Sequence, residues 1–343
     1  MNRRIAAVAA AALLLAVVAV VYVARAADRT AVPDDGTGRT RAGALPGNAV
    51  PGAVALDRPG QLIFRDAAPG PRNGRLAAVS LADPGGRRTV SALSCVRVYA
   101  AARSGVCLAV ERGAISKINA VVVDANLRPV RRVKLAGAPS RARISASGRM
   151  VSWTVFVSGD SYLSSGFSTR TGILDLRTGR ATGNIENFTV YKDLARYRSV
   201  DVNFWGITFA ADDNRFYATL RTKGRTYLVA GDYARRTLRT LRENVECPSL
   251  SPDGSRLAFK KATGEPARPW RLHVLDLRTM RETPLAERRS VDDQAAWLDA
   301  RTVMYGRVDG ETPNIWTVPA DGTGTPRLLV KQAFSPAVIP NPS

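Results

Sequence analysis

Three cysteines, one histidine and three acidic pairs are the residues of this 343-residue chain whose chemistry could go beyond packing. Cys95 and Cys107 flank a turn at Arg103-Ser104-Gly105, on successive predicted strands, and such a pair oxidises outside the cytoplasm. Simple hairpin register around that turn does not set them opposite each other. A Cys95–Cys107 disulfide therefore requires a bulge or a rearranged turn, and Cys95–Cys247 is the alternative pairing. Cys247 otherwise reads as a small buried residue rather than a catalytic thiol. His273 shares a strand face with Leu275 inside an apolar run, which gives it a structural role. One histidine and no clustered cysteines argue against a zinc site. A Ser-His-Asp triad would have to use His273, and no Gly-x-Ser-x-Gly elbow occurs, since Gly159-Asp160-Ser161-Tyr162-Leu163 lacks the second glycine. No catalytic residue, metal ligand or cofactor is expected.

The acidic pairs Asp34-Asp35, Asp212-Asp213 and Asp292-Asp293 each abut a turn, and turn chemistry accounts for them. A calcium site would need several converging carboxylates, and Asp292 and Asp293, which open the sixth sequence repeat, are the pair placed to face a channel. Carboxylates paired across the channel for glycoside cleavage are a further alternative. Trp153, Phe204, Trp205, Trp270, Trp297 and Trp316 fall in or beside predicted strands, where core packing is the default. Trp205 and Trp270 also adjoin loops containing Gly or Pro. With Tyr162 and Phe167 from the polar insertion at residues 158–170, they form the candidate binding rim.

These residues must be positioned by strands. The clearest hairpin signal is Ser251-Pro252-Asp253-Gly254 between two short apolar runs. Proline presets φ, aspartate caps the turn, and glycine takes the left-handed position without steric cost. Weaker copies recur at residues 57–60, 102–105, 145–148, 211–214 and 299–301. A second hairpin follows each, as at Leu275-Asp276-Leu277-Arg278-Thr279. The spacing of the six units is mostly about 44–57 residues, near the period of a four-stranded propeller blade. The expected fold is all-β: a six-bladed β-propeller over residues 53–339, with blades at 53–93, 94–137, 138–190, 197–244, 245–289 and 290–332. Residues 333–339 look like one more first strand. Because a ring must close or leave edges exposed, they are expected to pair with residues 53–64. One short helical turn is expected at residues 192–198.

Ahead of the propeller, Met1 to Arg4 is basic and residues 5–24 are apolar and uncharged. That is long enough to span a bilayer as a signal anchor. Ala24-Arg25-Ala26 also matches a cleavage pattern, so the segment 1–27 is a signal anchor or a signal peptide cut after Ala26. Either way the body lies outside the cytoplasm. No lipobox cysteine exists. Residues 28–52 read as a flexible linker.

The formal charge is +21. All but seven of the 50 basic residues are arginine, spread singly or in pairs, as a GC-rich coding sequence also produces. An anionic partner is consistent with that charge, but no nucleic-acid motif is present and nucleic acid is not the expected partner.

Residues 248–259, with 275–279 as their second half, resemble the TolB-type, WD-like propeller repeat. Gly159-Asp160-Ser161-Tyr162, residues 167–171, residues 203–209 and residues 215–220 are similar to exported TolB-like proteins of high-GC Gram-positive bacteria. The resemblance covers residues 53–339 and implies the fold more than any function. TolB itself carries a separate α/β domain before its propeller, serving the Tol–Pal system. Only about 25 residues lie between the anchor segment and the propeller here, so that role is not expected to transfer. The expected function is a membrane-tethered, non-catalytic binding or scaffold module for an envelope protein or an anionic cell-wall polymer. A propeller-type hydrolase or lyase, or a structural part of an envelope assembly, are the alternatives.

Overall fold

The computed structural model describes residues 49–51, 54–114, 116–157 and 168–340. The apolar segment 5–24, the linker up to residue 48, and Tyr162 and Phe167 of the expected rim lie outside the described residues. No helix among the described residues is long and apolar enough to cross a membrane.

Six sheets form the six blades, four of them wholly antiparallel and two carrying one parallel strand pair on the outer side. Blade five follows the clearest repeat. Its strands are Glu246–Leu250, Arg256–Ala262, Trp270–Asp276 and Glu282–Pro284, ordered from inside to outside. The Ser251-Pro252-Asp253-Gly254 turn works as the residue types require. The Gly254 amide donates to the Ser251 carbonyl at 2.9 Å, and Gly254 sits at φ +71°, where a side chain is strained. Asp253 accepts from the Ser255 amide at 3.1 Å.

Alternation along the second strand of each blade builds the core, because neighbouring side chains on a strand point to opposite faces. In blade six Val303 and Tyr305 join the cluster with Leu272 and Trp297, while Met304 faces the cluster with Leu62 and Phe64. Each blade thus buries both faces against its neighbours, which a ring of sheets demands.

Closure comes from the C-terminal strand, Ala333–Ile339, which pairs antiparallel with Gln61–Asp66 and becomes the innermost strand of blade one. A buried ion pair locks the junction. Asp66, with no exposed surface, accepts from Arg88 at 3.2 Å, and Arg88 also donates to the Lys331 carbonyl at 2.6 Å.

Two expectations are corrected. The linker does not run free to residue 52: Ala49–Pro51 pairs in parallel with the outer strand of blade one, Ala49 opposite Arg88. Residues 192–198 are not a helical turn. Thr189–Lys192 and Ala195–Tyr197 form a hairpin that widens blade four to six strands. Asp193 and Leu194 both adopt positive φ, 51° and 65°, the two-residue turn whose twist matches a hairpin. The helical signal is short, and pairing of Ala195–Tyr197 with residues 190–192, themselves anchored on Thr237–Glu243, outcompetes a single turn.

Candidate functional site

The inner strands carry the channel wall. In blades two to five these are Arg97–Ala101, Ala138–Ile144, Asn203–Phe209 and Glu246–Leu250. Ala296–Trp297 and the closing strand complete the ring. Side chains cross the middle of the channel. Gln294 donates to the carbonyls of Ile207 and Pro248 at 3.1 and 2.8 Å. Arg143 donates to the Ala295 carbonyl at 3.0 Å. The crossing leaves two vestibules, one at each end.

The basic vestibule, at the N-terminal ends of the inner strands, has a volume of about 770 Å³. Trp205 and Trp270 both line it, so the fold brings together the two described members of the expected rim. Four basic side chains, Arg97, Arg141, Arg221 and Lys260, face two carboxylates there, Glu246 and Asp292. Lys260 is nearly buried; its Nζ lies 3.6 Å from Glu246, pairs closely with Asp292, and sits 4.0 Å from the Trp270 ring centre. Arg141 lies 3.8 Å from Asp292 and 3.9 Å from Asp293. Arg97 reaches Asp293 at 3.2 Å and lies over the Phe334 ring at 4.3 Å.

Burial and neighbours set the charges. Burial pushes the Arg97 pKa down to about 10, against the pull of Asp293, so it stays charged at neutral pH. Burial also works to lower Lys260, but the Cys247 sulfur, Asp292 and Glu246 lift it above the ordinary lysine value. Burial raises Glu246, only partly opposed by Lys260. For Asp292 burial is outweighed by Lys260, Arg141 and Arg97, and its pKa falls.

Cys247 is free and buried. Its φ is +50°, at an irregular register between Glu246 and Ser249. Cys95 and Cys107 are joined by a disulfide, with Cα atoms 5.3 Å apart. The geometric obstacle seen in the sequence is met by the chain rather than by the turn. Cys95 precedes the strand, donates its amide to the Gly74 carbonyl at 2.7 Å, and turns inward just ahead of Arg97. His273 stays structural: its ring lies 5.7 Å from that of Phe259, and burial with Lys261 nearby pushes its pKa down to about 4. No group of three or more metal-ligating side chains gathers among the described residues.

The other end, the turn vestibule, has a volume of about 850 Å³. It is lined by first-hairpin turn residues, Ser251 to Gly254 among them, and by Ile144, Phe209, Trp297, Leu298 and Val338. Trp153 and Trp316 go to packing: Trp153 is buried against Gly172, and Trp316 donates to Asp309 at 2.8 Å.

Sequence reasoning missed the basic wall. Arg141 and Arg143 stand two apart on one strand face, and that spacing on an inner strand was the available signal. Glu246 and Lys260 gave none, because only the pairing of Glu246 with Lys260 across two strands joins them.

No protein family and no curated protein matches the sequence. Solved structures do match. TolB from Acinetobacter baumannii superposes with a TM-score of 0.56 at 16% identity, over 82% of this chain and 67% of that one. A chain of the nidogen/laminin complex gives 0.51 at 13%, over 81% and 97%. A Mycobacterium tuberculosis puromycin-hydrolyzing peptidase gives 0.48 at 14%, over 82% of this chain but only 44% of the peptidase. At such identities the likeness is one of fold: a TolB-like six-bladed propeller.

Proposed function

We propose that this chain is an extracytoplasmic, membrane-tethered propeller that binds an anionic envelope ligand in the basic vestibule, without catalysis. The observation that carries this reading is the convergence of Arg97, Arg141, Arg221 and Lys260 with Trp205 and Trp270 on one cavity. Cations give attraction and register, and flat rings give contact area at low entropic cost. The carboxylates present are tied into ion pairs with those cations. The basic and apolar pattern of residues 1–24 supports the tether, and a disulfide suits an oxidising compartment. The ligand is an acidic segment of an envelope protein or an anionic wall polymer.

The test is a pull-down from solubilised envelopes with the full chain, comparing wild type with Trp270→Ala and Arg141→Gln, before and after protease treatment of the envelope fraction. Capture that depends on both side chains and weakens with salt is expected. Protease-resistant capture assigns the polymer, and protease-sensitive capture the protein. Capture indifferent to both substitutions overturns the reading.

One observation favours a second reading, a lyase or hydrolase. Glu246 and Asp292 share Lys260 while their pKa values are pushed in opposite directions, the arrangement acid–base pairs use. Turnover of an anionic glycan that disappears in both Glu246→Gln and Asp292→Asn would establish it.

A further inference from the structure

Arg143 is a buried cation without a counter-ion. Only 4% of its surface is exposed. Its polar partners are neutral: the Ala295 carbonyl at 3.0 Å and the Ser249 hydroxyl at 3.4 Å, with the Tyr99 ring 4.2 Å away. Its Nε has no hydrogen-bond partner. The neighbouring charges do not help. Arg97, Arg141, Arg221 and Lys260 already outnumber Asp292, Asp293 and Glu246, four against three, and none of these carboxylates pairs with Arg143. A buried charge is costly unless paired.

Two cavities meet at this side chain. One is a throat of about 20 Å³ between Arg97, Arg141, Arg143, Asp293 and Gln294, room for a single water-sized atom. The other is the turn vestibule, with Arg143 at its floor and Ile144, Phe209, Trp297, Leu298 and Val338 on its walls. The acidic residues at its mouth are already engaged: Asp57 pairs with Arg103 at 3.3 Å, Asp253 accepts from Ser255, and Asp299 accepts from the Arg301 amide at 2.7 Å. A mostly apolar pocket with a few placed polar groups is the usual form of a small-molecule site, and the volume here lies in that range. The buried charged group is Arg143, the other charges lying at the mouth.

We infer that the turn vestibule binds a small amphipathic monocarboxylate, its acid group paired with Arg143 and one oxygen in the throat, its apolar body against Phe209, Trp297 and Val338. A carboxylate offers a planar acceptor to the guanidinium fork. Phosphate, with oxygens in all directions, has no equal fit to a one-atom throat. The turn vestibule lies at the opposite end of the channel from the basic vestibule. Although Arg97 and Arg141 wall the throat as well, Arg143 lines only the throat and the turn vestibule, so substituting it tests this site separately from the function proposed above.

The probe is 4-phenylbutyrate, titrated calorimetrically into the full chain in neutral detergent at constant ionic strength, against 4-phenylbutyramide and inorganic phosphate. The acid is expected to bind at least tenfold more tightly than the amide, and phosphate not to compete. Arg143→Gln should reduce the acid to the level of the amide, while envelope capture through Trp270 and Arg141 persists. Should Arg143→Gln fail to fold, Val338→Trp fills the vestibule without touching the arginine and should abolish binding of both compounds. Equal affinity for acid and amide, or competition by phosphate as strong as by the acid itself, overturns the inference.

Discussion

The two vestibules lie at opposite ends of one ring of inner strands, yet they are chemically unlike. The turn vestibule is walled by the repeated device: short turns such as Ser251 to Gly254, with apolar neighbours and one buried arginine. The basic vestibule is walled by residues that the repeat does not specify, among them Arg97, Arg141, Trp205, Lys260 and Trp270. The difference teaches where a repeat fold keeps its freedom. Turn residues are held to a few types by φ and capping. At the opposite end only Gly224 among the lining residues sits at positive φ, +73°. Apart from Asp292 the rest of that lining is drawn from strand positions, where charge and aromatic surface can gather.

The largest test of this contrast is Lys260→Met. It leaves the nearly buried Glu246 without its ammonium and frees Asp292. A loss of about 3 kcal/mol in urea unfolding is expected, together with weaker envelope capture. A loss below about 1 kcal/mol would mean the basic vestibule is not held by its ion network.

A smaller effect separates the vestibules by pH. Glu246 has a raised pKa in the folded chain. Its contribution to stability is therefore fully present below its unfolded value and fades as pH rises through the folded one. The groups facing it are Lys260, Asp292 and Arg221. On acidification Glu246 loses its charge and the basic vestibule becomes more positive. Anion capture should strengthen as pH falls towards the Glu246 pKa, and Glu246→Gln should bind about tenfold more tightly at pH 7, a change of about 1.4 kcal/mol, with that pH dependence gone. Binding of 4-phenylbutyrate to the turn vestibule should not follow Glu246→Gln. If both ligands respond alike, the two ends are not separate sites.

The smallest effect belongs to the repeat itself. Gly254→Ala forces a side chain onto φ +71° with open space around it. A cost of about 1 kcal/mol in thermal or urea unfolding is expected from backbone strain alone, with envelope capture unchanged. Altered capture would show that the turns reach the basic vestibule.

Much of the fold was legible because its determinants are local. Turn chemistry at Ser251 to Gly254 and strands of period two dictated the blades, and the extra strand at 333–339 announced ring closure. Errors came where local signals were weak. Residues 192–198 were too short to declare a hairpin, and Ala49–Pro51 pairs only because the outer edge of blade one lies beside it. The rim was half legible: Trp205 and Trp270 were picked from their loops, but their convergence was not.

By itself the sequence determined the hairpin repeat and the all-β class, since each rests on backbone preferences acting over a few residues, whereas which cysteines pair was decided by the fold. The tertiary structure alone decided which charges share a cavity. Arg97, Arg141, Glu246, Lys260 and Asp292 come from four blades. Pairing within blade five joins Glu246 to Lys260, and the packing of blades around the ring brings the others within Coulombic reach. The same packing leaves Arg143 buried and unmatched, because pairing depends on distance in space and no local pattern along the chain records it.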